Sequence, residues 1–203
     1  MREMSQKLPR KRIKVILASA SDRRKNTLRR LGVPFQSMVN HVEETWSPKE
    51  APHRVAVRLA LKKARSVQPS SGLVIGMDTI VVSGRKIFGK PGTSKDVRTM
   101  LRQLSGKMHR VITGVALLYK GQTITGYEVT KVYFRKLKNS EIEWYLAIKE
   151  PFDKAGAYAI QGMGGIFISK IDGCYDNVVG FPLNRFQQLL GKIGLSIHDL
   201  MRK

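Results

Sequence analysis

Asp78 sits in the middle of the apolar run Leu73-Val-Ile-Gly-Met-Asp-Thr-Ile-Val-Val82. A carboxylate there is costly unless a cation or hydrogen bonds compensate it. It suits a metal ligand or a general base whose pKa is tuned by burial and neighbouring charge. The alternative is a structural aspartate held by backbone amides. Gly76 beside it permits close approach of backbone or ligand. Lys63 is the matching anomaly: Val55, Leu59, Lys63 and Val67 recur every four residues, which puts a lysine on the apolar stripe of a helix. Such a lysine either snorkels to water or points into a site. Arg58, Lys62 and Arg65 fall to the sides, where solvated charge belongs.

A third constellation is Ala18-Ser19-Ala20-Ser21-Asp22-Arg23-Arg24, between a buried strand and a helix. Free N–H groups at a helix start, two hydroxyls and two guanidiniums make a phosphate grip. A capped helix with a basic solvated face explains the same residues, since Lys25, Arg29 and Arg30 follow. Glu43-Glu44 offers a hard oxygen ligand or plain surface charge. Phe88-Gly89-Lys90-Pro91 places a lysine in a rigid turn, within reach of a second phosphate contact. In Asp153-Lys-Ala-Gly-Ala-Tyr-Ala-Ile-Gln-Gly162, Gln161 can read a base edge. Gly162-Met-Gly-Gly165 has the wrong spacing for a dinucleotide fold, and no Walker-type phosphate loop occurs.

The elements that must position these groups follow from periodicity and turn residues. Strands are expected at Ile13–Ala18, Leu73–Ser83 and Lys86–Phe88, then at about Arg110–Tyr119 and Thr123–Leu137 around a Lys120-Gly121-Gln122 hairpin, and at Gly165–Ile171. Helices are expected at Arg23–Leu31, stopped by Gly32, and at about Ala51–Val67, ahead of the Pro69–Gly72 break. Others run from a Thr93 cap to Ser105-Gly106, from a cap at Asn139 or Ser140 to a stop before Pro151, and through the tail from Pro182. Irregular alternation with an antiparallel hairpin implies a mixed α/β sheet rather than a regular doubly wound one.

A chain of 203 residues, 42% hydrophobic, can bury one substantial core or two tightly joined lobes. Residues 1–12 read as a basic, poorly ordered leader, and 13–203 as a single catalytic domain. No stretch approaches the roughly 20 apolar residues of a membrane span. The single Cys174 and the absence of a signal-like apolar start lead to an intracellular, cytoplasmic expectation. Charge is the unusual feature: 37 basic against 15 acidic residues gives +22. Such a field attracts nucleotides, nucleic acid or an anionic surface, or is simply a solvated basic surface.

Taken together, the segments resemble the Maf family, also called the septum-formation-inhibitor family. The matching pieces run in family order: Ile16-Leu-Ala-Ser-Ala-Ser-Asp-Arg-Arg24, Arg58-Leu-Ala-Leu-Lys-Lys-Ala-Arg65, Ile75-Gly-Met-Asp-Thr79, Gly89-Lys-Pro91, Leu104-Ser-Gly106, Ile112-Thr-Gly114, Asp153–Gly162 and Asn177-Val-Val-Gly-Phe-Pro182. The resemblance implies an elongated mixed sheet flanked by helices, with two lobes around a central cleft. It also implies hydrolysis of a nucleoside triphosphate to monophosphate and pyrophosphate with a divalent metal, Mg²⁺ or Mn²⁺. Carried over, Asp78 is the proton acceptor, while Ser19, Arg24, Glu44, Lys63 and Lys90 line the phosphate and metal site, with Glu44 and Asp78 on the metal. Arg23, Thr79 and Gln161 match the positions associated with base choice, in the pattern of the dTTP/UTP-preferring branch. The departures are Asp22 for the usual proline, Met77 for alanine and Lys62 for glutamate. Asp22 puts phosphate affinity or metal placement in question, and Lys62 is expected only to add surface charge.

The expected partners are therefore a nucleoside triphosphate and no membrane, with a homodimer as the assembly and nucleic acid as a secondary possibility. Two rival readings remain. One is a fold-related purine-directed pyrophosphatase acting on inosine or xanthosine triphosphates. The other is a basic nucleic-acid-binding protein, against which stands an aromatic content of only 7%, short of the interleaved platform that single strands need.

Overall fold

The computed structural model describes residues 13–67 and 71–201. The expected leader at 1–12 and the Pro69 end of the predicted break lie outside these residues. In chain order the elements are β1 Val15–Leu17, α1 Asp22–Arg30, β2 Gln36–Ser37, α2 Pro52–Ser66, β3 Leu73–Ser83, β4 Lys86–Phe88, α3 Ser94–Leu104, β5 Met108–Tyr119, β6 Gln122–Phe134, α4 Asn139–Ala147, β7 Ile168–Asp172, α5 Tyr175–Val179 and α6 Leu183–Gly191. The described strands form one seven-stranded sheet in the order β2-β1-β3-β5-β6-β7, with β4 also on β3. β2, β1 and β3 run parallel and the remaining pairs antiparallel. The sheet is mixed, as its sequence pattern implies.

Alternation along β3 assigns its two faces. Leu73, Ile75 and Met77 pack with Leu28 of α1 and with Phe186, Leu189 and Leu190 of α6. Val81 on the same face packs with Val97 and Leu101 of α3 and Ile142 of α4. The opposite face meets α2: Val74 packs on Ala60 and Ala64, and Ile80 and Val82 on Val55 and Leu59. Two glycines let α2 lie directly on the strands. A Cβ on Gly76 would come within 2.2 Å of the Ala60 carbonyl oxygen, and one on Gly114 within 2.2 Å of that of Ala56. This close seat brings the next turn of α2, with Lys63, over Asp78.

β3 also creates the opening. Its outer edge pairs with β1 only at Leu73–Ile75, and with β4 only from Val81. Between them, residues 76–80 have β5 on one side and, among the described residues, no strand on the other. A crevice therefore opens past the carboxyl end of β1, the usual ligand position in open α/β sheets. Because it opens at a strand edge, side chains from both faces of β3 line it.

Several boundaries differ from the sequence expectation for local reasons. The hairpin turn is two residues, with Lys120 and Gly121 both at positive φ (47° and 78°) and Tyr119 paired to Gln122, which suits the twist of the flanking strands. α4 is capped by neither Asn139 nor Ser140; the Glu141 carboxylate accepts from the Lys138 N–H at 2.8 Å ahead of it. The last strand starts at Ile168 and not at Gly165, because residues 163–167 wind into a 3₁₀ turn. The Glu150 carboxylate collects the Met163 N–H at 2.9 Å and the Gly164 N–H at 3.3 Å, which curls that backbone. β2 and α5 have no counterpart in the sequence reading.

Candidate active site

The crevice is a cleft of about 730 Å³. All nine sequence-predicted site residues line it: Ser19, Arg23, Arg24, Glu44, Lys63, Asp78, Thr79, Lys90 and Gln161. At its centre the Lys63 ammonium donates to Asp78 Oδ1 and meets Glu44 Oε1 at 2.6 Å. Lys63 therefore points into the site and does not snorkel to open water. Asp78 is buried, and its compensation is this cation. Burial alone would raise the Glu44 carboxyl. The hydrogen bond from Lys63 and the charges of Lys63, Lys90 and Arg24 outweigh that and hold it below the ordinary carboxylate value.

The Ser19–Arg24 turn forms the wall at the start of α1. Ser21 occupies the cap position, but its side chain makes no capping bond, so the first-turn N–H groups remain open to an anion. Ser19 Oγ accepts from the Ser21 N–H at 3.2 Å and from Arg24 Nη1 at 3.1 Å. Arg24 is itself buried, and it ties three segments together, donating from Nε to the Gly180 carbonyl at 3.0 Å and from Nη2 to Thr79 Oγ1 at 2.9 Å. Burial pushes its guanidinium down to about 10, against the pull of Asp78. Asp22 does not disturb this wall: its side chain is 84% exposed and pairs with Lys25 at 3.1 Å.

Thr79 lies on the strand face opposite Asp78. Besides Arg24, its hydroxyl meets that of Thr113 at 3.0 Å, and Thr113 in turn donates to the Asn177 carbonyl at 3.2 Å. The buried Asn177 amide donates to the Val111 carbonyl and to Thr130 Oγ1, each at 3.0 Å, which seats α5 against the sheet. Across the cleft, Arg23 approaches Asp153 at 3.8 Å. Gln161 is exposed along the same wall, next to the buried Tyr158. Tyr158 is fixed from behind by His109 Nε2 at 2.7 Å.

Sequence reasoning singled out Glu44 but not how the segment that carries it lines the cleft. Residues 38–51 form no helix or strand, yet 39–44 and Trp46 line the cleft. Polar ties from α2 fix this strap: Lys62 Nζ to the Glu43 carbonyl at 3.1 Å, Arg58 Nη2 to the Thr45 carbonyl at 2.8 Å, and Arg58 to both Glu50 oxygens. Trp46 spans to the Lys90 turn, where a Cβ on Gly89 would lie 3.2 Å from its ring. Lys62 thus does more than add surface charge, a correction invisible without knowing where residue 43 folds. A lone tryptophan in a charged loop was the available signal.

Glu44 and Asp78 could offer hard oxygen donors to a divalent cation. Among the described residues, no group of three or more His, Cys, Asp or Glu side chains could hold an ion unaided. Two carboxylates suit an ion such as Mg²⁺, which keeps waters and completes its shell with substrate phosphates. The donor set fits a metal that arrives with a phosphorylated ligand.

Proteins named dTTP/UTP pyrophosphatase from Bacillus cereus, Bacillus anthracis and Bacillus thuringiensis subsp. konkukian are each 45% identical over 186 residues. That alignment covers 91% of this chain and 97% of each of theirs. Among solved structures, the Staphylococcus aureus Ham1 protein is similar over 60% of this chain and 71% of its own, at 12% identity and a TM-score of 0.42. The Maf-like protein family matches residues 14–193. With a match of that extent, the chain belongs to the Maf-like proteins.

Proposed function

We propose that this chain hydrolyses dTTP and UTP to the monophosphate and pyrophosphate. The observation that carries the reading is the meeting of Lys63, Asp78 and Glu44 at the open edge of β3, facing the free N–H groups of α1. The names of the 45%-identical relatives support the same substrates. The triphosphate chain would lie against the start of α1, with Ser19, Arg23 and Lys90 around it and the buried Arg24 charge behind. Lys63 anchors Asp78 through Oδ1, and the Asp78 carboxylate would accept the proton of a water attacking the α-phosphorus. The α-phosphorus bond to the bridging oxygen then breaks, and pyrophosphate leaves against Lys90 and the arginines. A divalent cation, Mg²⁺ or Mn²⁺, held by Glu44 and Asp78, would supply charge neutralisation along the phosphates. On the base side, Gln161 can both donate to O4 and accept from N3–H of uracil or thymine.

Product analysis over a panel of canonical and modified triphosphates tests the reaction. Pyrophosphate should be released, and a nucleoside diphosphate as main product would exclude the reading. Faster turnover of inosine or xanthosine triphosphate would move it to the purine-directed class. Gln161→Glu should impair dTTP and UTP selectively, because a carboxylate faces the O4 acceptor with a second acceptor. The loss should exceed the about 10–200-fold available to an apolar pocket, and equal loss on every base would remove Gln161 from base recognition. A homodimer and an intracellular setting belong to the same proposal. Sedimentation equilibrium reads the first, and the single Cys174 suits a reducing compartment. No helix among the described residues is long and apolar enough to cross a membrane.

A further inference from the structure

The sheet has a second functional-looking surface, on the α2 side but beyond the reach of α2. The helix covers the sheet down to Ile80, Val82 and Ile112. Below that row, antiparallel register places Arg110, Lys131 and Asp172 side by side, and then Met108, Tyr133 and Lys170. Directly opposed residues of an antiparallel pair share a face. Contacts agree: Lys131 meets Asp172 at 3.3 Å, and Lys170 Nζ lies 5.6 Å from the centre of the Tyr133 ring. Their neighbours His109, Val111, Val132 and Phe134 point the other way, into the core under α3 and α4. On this face Met108 is 42% exposed and Lys131, Lys170 and Asp172 are exposed, while Tyr133 and Arg110 are half-buried, with Arg110 Nη2 donating to the Gly84 carbonyl at 3.2 Å; Tyr127, above the Ile112 row on β6, is 41% exposed. Tyr127 lies 4.9 Å from the His53 ring at the start of α2, the two tilted by 32°, and Lys131 and Val129 separate it from Tyr133 along the same face.

Its composition is unusual for a bare sheet. Arg110 and Lys131 stand directly opposite each other, an arrangement that costs stability, and Lys170 adds a third cation against the single acid Asp172. Aromatic rings and cations interleaved on an exposed antiparallel surface are what single-stranded nucleic acid needs: flat platforms for bases and charges for the backbone. The low overall aromatic content argued against such a platform, but two of the six tyrosines, Tyr127 and Tyr133, stand on this side of the sheet. The net charge of +22 gives the long-range attraction that a polyanion would feel. We infer that this face of β5, β6 and β7 binds single-stranded nucleic acid, with bases stacked on Tyr133 and Tyr127 and phosphates held by Arg110, Lys131 and Lys170.

The test is fluorescence anisotropy of the full chain with a labelled 20-nucleotide oligodeoxyadenylate, a base that the nucleotide cleft is not proposed to prefer. Wild type should bind, and binding should weaken linearly in log–log with salt. Arg110→Gln with Lys131→Gln should reduce that slope by about 1.4, at about 0.7 per phosphate contact on a single strand. Tyr133→Ala should weaken binding by about 5- to 150-fold. Both variants should stay folded and keep wild-type pyrophosphate release, while Asp78→Asn should bind the oligomer normally. Absent binding would overturn the inference. So would loss of binding in Asp78→Asn, which would move the strand to the cleft, or unaltered binding in both face variants. Preferential capture of the same face by phosphatidylglycerol vesicles, or by a second copy of the chain in sedimentation, would equally replace it.

Discussion

At position 63, an apolar stripe by itself favours methionine over lysine, so Lys63→Met reads from sequence as neutral or stabilising. The contacts reverse that sign. Lys63 is the cation between Asp78 and Glu44, and its removal strands a buried carboxylate. Lys63→Met should lose about 3 kcal/mol, near the low end for breaking a buried pair because its side chain keeps 19% exposure. Urea unfolding measures the loss, and adding Asp78→Asn should restore most of it. An unmoved midpoint would return Lys63 to a peripheral role. Asp78→Asn alone should lower turnover by about 10²–10⁴ with the fold kept; wild-type rates would make Asp78 structural. His109 was not singled out in sequence at all, because nothing local marks a histidine that will be wholly enclosed. Burial lowers its pKa from the ordinary 6.5 to about 4. Between those values the unfolded chain holds the proton and the folded chain does not. Stability is therefore complete above about pH 6.5 and falls as pH drops toward 4, by on the order of 3 kcal/mol. His109→Gln should flatten that stretch of the stability–pH curve, and an unchanged slope would locate the acid sensitivity elsewhere.

Among the elements, those written in local chemistry were legible. Thr93 caps α3 through the Asp96 N–H, and Asp96 answers to the Thr93 N–H, a reciprocal box visible as a spacing of three. Gly32 ends α1 at φ 66°, and the β3 run is continuous enough to give both its ends. What depends on distant partners was not legible. β2 is two residues borrowed by β1, and α5 is a single turn and a half seated by the Asn177 bonds to Val111 and Thr130. The strap at 38–51 is the functional case, since polar ties from α2 give it its position. The nine cleft residues were found as types in motifs, whereas Lys62 and Arg58 became visible only once the strap was in place. Lys62→Ala should free the Glu43 carbonyl and loosen Glu44, while altering the melting point little, because the residue is exposed. A single hydrogen bond of about 0.5–1.5 kcal/mol sets the expected rise in KM at about 2- to 10-fold. Direct titration of Mn²⁺ should show weaker binding in the same proportion, with Lys62→Arg recovering part of it. Unaltered KM and Mn²⁺ affinity would leave the strap held by Arg58 and Trp46 alone.

For the whole molecule, charge is the property that packing does not explain, and it acts at a distance that packing cannot. A field of +22 should draw a nucleoside triphosphate toward a cleft whose walls concentrate it, raising the encounter rate more than the chemical step. The signature is ionic strength. Between about 0.01 M and 0.1 M the screening length falls from about 30 Å to about 10 Å. With free metal held constant, kcat/KM should then fall by on the order of 10-fold while kcat changes far less. The position of charge matters as well as its sum. Neutralising Arg110 and Lys131 changes the total from +22 to +20 on a sheet face away from the cleft, so the salt dependence of hydrolysis should barely move. Lys90→Gln removes one charge from the cleft wall itself, and it should flatten that dependence more than the double change does. Equal flattening by both would mean that the molecule attracts its substrate as a whole and does not focus it. A salt-independent kcat/KM in the wild type would free the charge from any part in hydrolysis and leave the polyanion surface as its remaining use.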